Sequence, residues 1–422
     1  MTGDSVWMPT AADIAAHLCD SAVVHDDRCT WLGTSQYEGD EGDLEFSYGT
    51  VGPDLYGGTA GISLFLAETA ARTGSAICAE RALQGIRQSI RTASIRPAPY
   101  LPGYFAGITG IAYAAMRIAR AIGAPGLAGD AAALMANCEA AEPARVDIIS
   151  GAAGTIPALL TLSDWLPRPA LRECAVALGD YLIAVARMHD NGAWSWRDAG
   201  AEDEEATVDL TGFSHGAAGI GWAFLELHAA TGETRFRDAA ECAFRYERRW
   251  FRATEDNWPD FRGVESSGEP ADCSVAWCHG APGIGLSRLR VSQERGSPGR
   301  AETEAALRAS IAWLERTARD PYADWSLCHG IAGVGDMLVQ AGALLGVSAA
   351  REAAHAAARD AAERHRGSVG RWPCGVARGS NPSLMLGLAG IGYFFLRLAD
   401  PSLPTALLPG ARGDLRTADS TK

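Results

Sequence analysis

Positive charge is scarce in this sequence: 37 lysines and arginines stand against 51 aspartates and glutamates, a formal net charge of −14. That balance excludes a nucleic-acid binder, which needs a basic patch to meet the phosphate backbone. It equally disfavours docking on an anionic membrane surface. Uninterrupted apolar runs are short, and none reaches the length of a membrane span. The N-terminus, Met1-Thr-Gly-Asp-Ser, lacks a basic region followed by an apolar core, so no signal peptide is expected and the chain reads as cytoplasmic. In that compartment the ten cysteines are free thiols or metal ligands rather than disulfides. Alternation of apolar and polar residues never extends beyond a few positions, so the chain reads as helical. Domain-boundary linkers are missing too. The expectation is one domain over residues 1–409, followed by a disordered tail over 410–422.

What the sequence does have is ordinary folding composition, 47% hydrophobic and 21% charged, enough to bury a large core. It also has an internal repeat. A Gly-x-x-Gly unit leading into an apolar segment occurs seven times, with first glycines at Gly58, Gly107, Gly151, Gly216, Gly280, Gly330 and Gly387. The intervals of 49, 44, 65, 64, 50 and 57 residues each hold two helices. Apolar segments such as 62–71 and 391–398 suit inner helices. Striped segments at 77–95, 169–188, 235–252, 301–319 and 348–366 suit outer ones, with arginine and glutamate on their wet faces. The acidic run 199–206 and the stretches 257–263, 265–270 and 293–299 read as irregular connections.

The glycines have a plain explanation: they let helix starts pack closely. That does not account for the residues before them. His precedes the glycine in units four to six only, and Cys precedes His in units five and six, giving Cys278/His279 and Cys328/His329. Zinc favours thiolate and imidazole, so the repeated pair is a metal-site candidate, set against ordinary buried cysteines. Cys19, Cys78, Cys138, Cys174 and Cys242 lie in helical surroundings and read as small core residues. If seven inner helices begin at one end of a ring, their N-termini converge there and favour negative charge, a thiolate or an enolate. Two thiolates and one neutral imidazole would leave a zinc site formally neutral. Such a site activates water poorly but suits a third, substrate thiolate.

Unit four adds His215, a candidate general acid/base or else a hydrogen-bonded structural histidine. Unit three adds Asp147, which orients a histidine or the substrate, or else caps a helix. His279 either hydrogen-bonds behind a ligand or faces the substrate. The six histidines outside the units, His17, His25, His189, His228, His355 and His365, read as uninvolved.

Ser-His-Gly, Trp-Cys-His-Gly and Cys-His-Gly in this order, from Trp31-Leu-Gly33 and Asp54-Leu-Tyr56 through to Pro382–Tyr393, resemble the lanthionine synthetase C-like family, the zinc cyclases of lanthipeptide biosynthesis. Asn257-Trp-Pro-Asp260 and Trp372-Pro-Cys-Gly375 look most like the cyclase half of class II synthetases. The resemblance implies an all-α, α/α toroid of seven inner and seven outer helices. It implies Zn2+ held by Cys278, Cys328 and His329, with His215 as acid/base and Asp147 as the acid of the third unit. The implied reaction adds a peptide cysteine thiolate to dehydroalanine or dehydrobutyrine, and His215 protonates the resulting enolate. Two departures stand out. Some stand-alone cyclases carry a basic residue four positions before the first zinc cysteine, where this chain has Ser274. The chain also has no dehydratase, kinase or lyase region, so the dehydrated precursor peptide would come from separate dehydration enzymes. Other readings are addition of a small thiol such as glutathione, a non-catalytic peptide-binding scaffold, and a helical-barrel glycosidase or terpene cyclase. The last of these needs paired or clustered carboxylates at the mouth.

Overall fold

A computed structural model describes residues 6–38, 44–95, 102–138, 145–197, 208–262, 271–292, 297–375 and 381–411. The acidic run at 199–206, the stretch 265–270, residues 293–296 of the expected connection 293–299 and residues 412–422 lie outside them. Among the described residues there are fourteen α-helices. Seven follow the glycine units: α2 (Thr59–Thr73), α4 (Ile108–Ile122), α6 (Ala152–Trp165), α8 (Ala217–Thr231), α10 (Ala281–Ser287), α12 (Ile331–Leu345) and α14 (Leu388–Ala399). Each packs on the next, and α14 packs back on α2, so they close into a ring. The other seven, α1 (Trp7–Asp20), α3 (Ala76–Ile95), α5 (Leu127–Cys138), α7 (Ala170–Ala184), α9 (Thr234–Trp250), α11 (Pro298–Thr317) and α13 (Ser348–Arg364), lie outside. The molecule is an α/α toroid.

Composition dictates the layers. Inner helices are buried nearly all round for their first three turns, as in α8, where Ala217 to Leu225 are all buried. Outer helices bury one stripe, as in α9, where Phe236, Ala239, Ala240, Ala243, Phe244, Tyr246 and Glu247 face inward at three- and four-residue spacing. That one-sidedness corrects the reading of Cys174 and Cys242 as core residues: they sit half-buried on α7 and α9, while Cys19 and Cys78 are buried. The Cys138 side chain lies outside the described residues. All nine described cysteines are free thiols. The outer partner of the last inner helix is the first helix of the chain, α1, which packs on α14.

Among the described residues, three antiparallel hairpins depart from the all-helical expectation: β1 (Val23–His25) with β2 (Arg28–Thr30), β3 (Leu32–Glu38) with β4 (Leu44–Thr50), and β5 (Arg187–Met188) with β6 (Trp194–Ser195). Two are too short for periodicity to reveal. The third, with seven paired positions, carries Gly, Ser and Thr where a strand ordinarily alternates apolar residues.

The glycine units have one steric logic. All seven first glycines are helix N-caps, and none of these caps carries a side-chain hydrogen bond. The second glycine of each unit lies under the carbonyl of the residue six positions upstream. A Cβ on Gly283 would fall 2.0 Å from the Trp277 carbonyl oxygen, and one on Gly333 1.9 Å from that of Leu327. The loop therefore doubles back over the first helical turn. The residue whose carbonyl makes this contact is apolar and buried in every unit: Leu55, Tyr104, Ile148, Phe213, Trp277, Leu327 and Leu384.

The next residue in each loop joins a closed ring of backbone hydrogen bonds, with Ile148 donating and Ile149 accepting in unit three. Tyr56 N–H donates to Phe105 O (2.9 Å), Phe105 N–H to Ile149 O (3.0 Å) and Ile148 N–H to Ser214 O (2.9 Å). Ser214 N–H donates to Cys278 O (3.0 Å), Cys278 N–H to Cys328 O (3.2 Å), Cys328 N–H to Met385 O (2.9 Å), and Met385 N–H returns to Tyr56 O (3.0 Å). Buried loop amides need partners, and here each unit supplies them to its neighbour. The helix N-termini thus meet at one mouth. From the opposite end, residues 400–411 run into the barrel, burying Leu403, Leu407 and Leu408. Leu407 O accepts the Trp277 indole N–H at 2.9 Å. Gly410 and Ala411, expected in the tail, are instead docked: their carbonyls accept from Thr161 and Tyr113.

No helix among the described residues is long and apolar enough to cross a membrane.

Candidate active site

The mouth ring places its side chains by register. Two positions before the N-cap glycine stand Tyr56, Ser214, Cys278 and Cys328, and one position before it His215, His279 and His329. Residues from units one, three, four, five and six therefore face one opening, which the spacing alone could not establish.

Cys278 and Cys328 come together. Both are buried, 6% and 5% exposed, and their thiols are hydrogen-bonded to each other. The hydrogen bond from Cys328 holds Cys278 below the ordinary thiol range, assisted by the charge of Arg262 and the nearness of His215. Cys328, fully buried beside Cys278, is pushed well above it. Tyr56, two units round the ring from Cys328, donates its phenol hydrogen to Cys328 Sγ at 2.9 Å.

His329 is turned elsewhere. Its side chain is 39% exposed, with Nε2 3.7 Å from Asp324 Oδ2. Among the described residues no three His, Cys, Asp or Glu side chains converge as a metal site. The donor chemistry nevertheless suits zinc: a buried thiol pair with one member already depressed, and an imidazole on the residue directly after Cys328.

His215 and Asp147 form a dyad. His215 Nδ1 lies 2.6 Å from Asp147 Oδ2; the carboxylate is wholly buried and the imidazole 33% exposed. With Nδ1–H donated to the carboxylate, Nε2 is left for proton exchange. Asp147 Oδ1 also accepts the Ser150 N–H at 2.9 Å, which closes a turn ahead of the helix rather than capping it, since α6 starts from Gly151 with no side-chain cap.

His279 lies behind His215, ring centroids 5.9 Å apart and nearly parallel, and is 1% exposed. Burial pushes its imidazole down to about 3, so it is neutral. Its Nε2 is 3.4 Å from Ser214 Oγ, while Nδ1 has no hydrogen bond and stands 3.6 Å from Asp260 Oδ1. Gly212, at φ +101°, leaves room for it: a Cβ there would meet the His279 ring at 3.1 Å. His279 therefore packs behind His215.

Sequence reading missed three participants. Asp260 clamps Arg262 through Nε (3.0 Å) and Nη2 (2.7 Å) and accepts from Ser274 Oγ at 3.0 Å. The charge of Arg262 acts on Cys278, Cys328, His279 and Tyr56. Ser274, uncharged where some cyclases carry a base, thus helps seat an arginine of the same α9–α10 connection. Tyr56 and Asp260 lay within stretches already singled out, but nothing in their spacing assigned them to the mouth.

A model of the lanthionine synthetase C-like proteins matches residues 49–409. The chain belongs to the lanthionine synthetase C-like family. Among solved structures, nisin cyclase superposes with a TM-score of 0.63 at 17% identity, covering 82% of this chain and 89% of that one. A heparin-specific unsaturated glucuronyl hydrolase matches at a TM-score of 0.46 and 13% identity, over 86% and 98% of the two chains. An α-1,6-mannanase from Salegentibacter sp. HEL1_6 matches at 0.42 and 12%, over 74% and 87%. The nisin cyclase likeness establishes the shared toroid, and the family model spans all seven glycine units of this lanthionine synthetase C-like chain.

Proposed function

We propose that this protein is a stand-alone, zinc-dependent lanthipeptide cyclase. It works in the cytoplasm on a precursor peptide dehydrated by separate enzymes. It joins a peptide cysteine sulfur to the β-carbon of dehydroalanine or dehydrobutyrine, giving lanthionine or methyllanthionine. The observation that carries this reading is the meeting, in one mouth, of the Cys278/Cys328 thiol pair with the His215–Asp147 dyad.

Cys278, Cys328 and His329 are the residues that would hold zinc. A zinc ion held there would supply Lewis acidity that favours the thiolate form of a substrate cysteine near neutral pH. Arg262, fixed by Asp260, steadies the negative charge around the sulfurs. As the carbon–sulfur bond forms, the alkene π pair moves onto the α-carbon and carbonyl as an enolate. His215 delivers the proton to the α-carbon, and Asp147 holds the imidazole and stabilises its charged form. His279, buried and neutral behind it, excludes water from that face.

The test is mass spectrometry of a dehydrated precursor incubated with and without the protein, using a thiol-alkylating probe to count closed rings. The expected result is loss of alkylatable cysteines at unchanged peptide mass. Full alkylation after prolonged incubation with zinc-loaded protein would overturn the reading.

A further inference from the structure

On the cyclase reading just given, His215 has to hold one orientation while an enolate forms in front of it. Asp147 steadies the ring, but the backbone after it enters α8 through Gly216, an N-cap with no side-chain hydrogen bond. The first amides of α8 therefore need partners from elsewhere. In units three and seven the second helical amide, Ala153 or Ala389, donates to the carbonyl seven residues upstream, Val146 at 3.2 Å or Pro382 at 3.3 Å. Unit five has no such amide, because Pro282 occupies the place.

Unit four is tied differently. Ala218 N–H donates at 2.8 Å to Oε1 of Glu247, a residue of the outer helix α9. The same oxygen accepts the Gly212 N–H at 3.2 Å. One atom from the outer layer thus holds both ends of the stretch from Gly212 to Ala218, and His215 stands midway along it. Gly212 is also the positive-φ turn that leaves room for the His279 ring. Glu247 is wholly buried, and its Oε2 has no hydrogen-bond partner among the described residues. Burying a carboxyl is costly. A loop carbonyl serves the same amide in units three and seven, so starting an inner helix does not require it. The unit that receives this carboxyl is the one that carries His215.

We propose that Glu247 is a positioning residue: from the outer layer it pins both ends of the loop that carries His215, and so aims the imidazole at Asp147 and at the substrate. Its part in the chemistry rests on the cyclase reading; its part in placing the ring does not. The experiment uses the full chain as wild type, Glu247→Met, which keeps the length of the side chain and removes the acceptor, and Glu247→Gln, which keeps an oxygen for both amides. The first readout is the Nδ1–H proton resonance of His215, which lies far downfield while the hydrogen bond to Asp147 is short and needs no turnover to be seen. The second is the rate of ring closure, with KM and zinc content measured alongside. In Glu247→Met the resonance should be lost and ring closure should slow about 10²-fold at unchanged KM and zinc content, the cost of shifting a reacting group by about 1 Å. Glu247→Gln should keep the resonance and recover most of the rate. A resonance unchanged in Glu247→Met, a rate loss that Glu247→Gln shares in full, or a rate loss that follows loss of zinc would each overturn the proposal. Should Glu247→Met fail to fold, Ala218→Pro removes the donor instead, with the residue that unit five carries at that place, and the same outcomes decide. A wild type that closes no rings would sink the cyclase reading, while the resonance would still report whether Glu247 places His215.

Discussion

Asp147 splits its carboxylate between His215 and its own loop: Oδ2 meets the imidazole Nδ1 at 2.6 Å while Oδ1 accepts the Ser150 amide at 2.9 Å. The two tasks are separable by substitution. Asp147→Asn retains an oxygen for the Ser150 N–H but turns an NH2 group toward the His215 nitrogen. The ring-closure rate should fall by about 10²- to 10⁴-fold, the range for losing general acid–base assistance. Thermal stability should fall little. A variant that closes rings at the wild-type rate would show that the dyad takes no part in the chemistry.

Zinc content is predicted to be one ion per chain by plasma mass spectrometry. Cys278→Ala, Cys328→Ala and His329→Ala should each lower it. Because His329 now points at Asp324, 3.7 Å away, metal loading should draw the imidazole off that carboxylate. The shift is readable in the His329 ring resonances on zinc titration. Resonances that do not move, with undiminished zinc in His329→Ala, would remove His329 from the ligand set.

Stability should fall as pH rises toward neutrality because of Glu247. Burial pushes its carboxyl up to about 7 from an ordinary 4.5, overcoming the Arg288 charge and the amides of Gly212 and Ala218 that favour the anion. The folded chain therefore holds this proton more tightly than the unfolded one. Its contribution is complete below about pH 4.5 and is lost as pH passes through about 7. The total is on the order of 3 kcal/mol. Glu247→Gln should flatten urea-denaturation stabilities between pH 5 and 8 relative to wild type. An unchanged slope would mean the carboxylate is ionised throughout.

Glycine substitutions should divide sharply by location. Gly283→Ala drives a methyl to within 2.0 Å of the Trp277 carbonyl and should cost about 4 kcal/mol or more, or prevent folding. Gly129→Ala, at an exposed position of α5 with nothing within 4 Å, should stabilise by roughly 0.5–1 kcal/mol. Melting temperatures of the two variants decide the matter.

The inner helices were legible because each begins at a glycine pair that the local fold requires. Their closure into a ring was legible only through the family resemblance, since α14 meets α2 across more than three hundred residues and α1 serves as outer partner to the last inner helix. The thiol pair and the dyad were legible from residue type and position within the repeat. Tyr56 and Arg262 were not: a tyrosine beside a glycine and an arginine in an irregular loop carry no periodic signal. Their importance comes from which neighbours the ring supplies. His329 was expected among the donors, and the side chain's turn toward Asp324 is a rotamer choice that residue order does not encode.

The chain of amides linking Tyr56 to Phe105, and onward through Met385 back to Tyr56, runs in a single sense with no free end. A circuit of that kind has no slack to give at one station alone. Lengthening or shortening the outer connections, which already differ by up to 21 residues between units (65 against 44), leaves the circuit intact. Inserting even one residue between Tyr56 and Gly58, or between Cys328 and Gly330, would force every station to re-register. This architecture is therefore open to redesign on its rim and closed to it at its aperture.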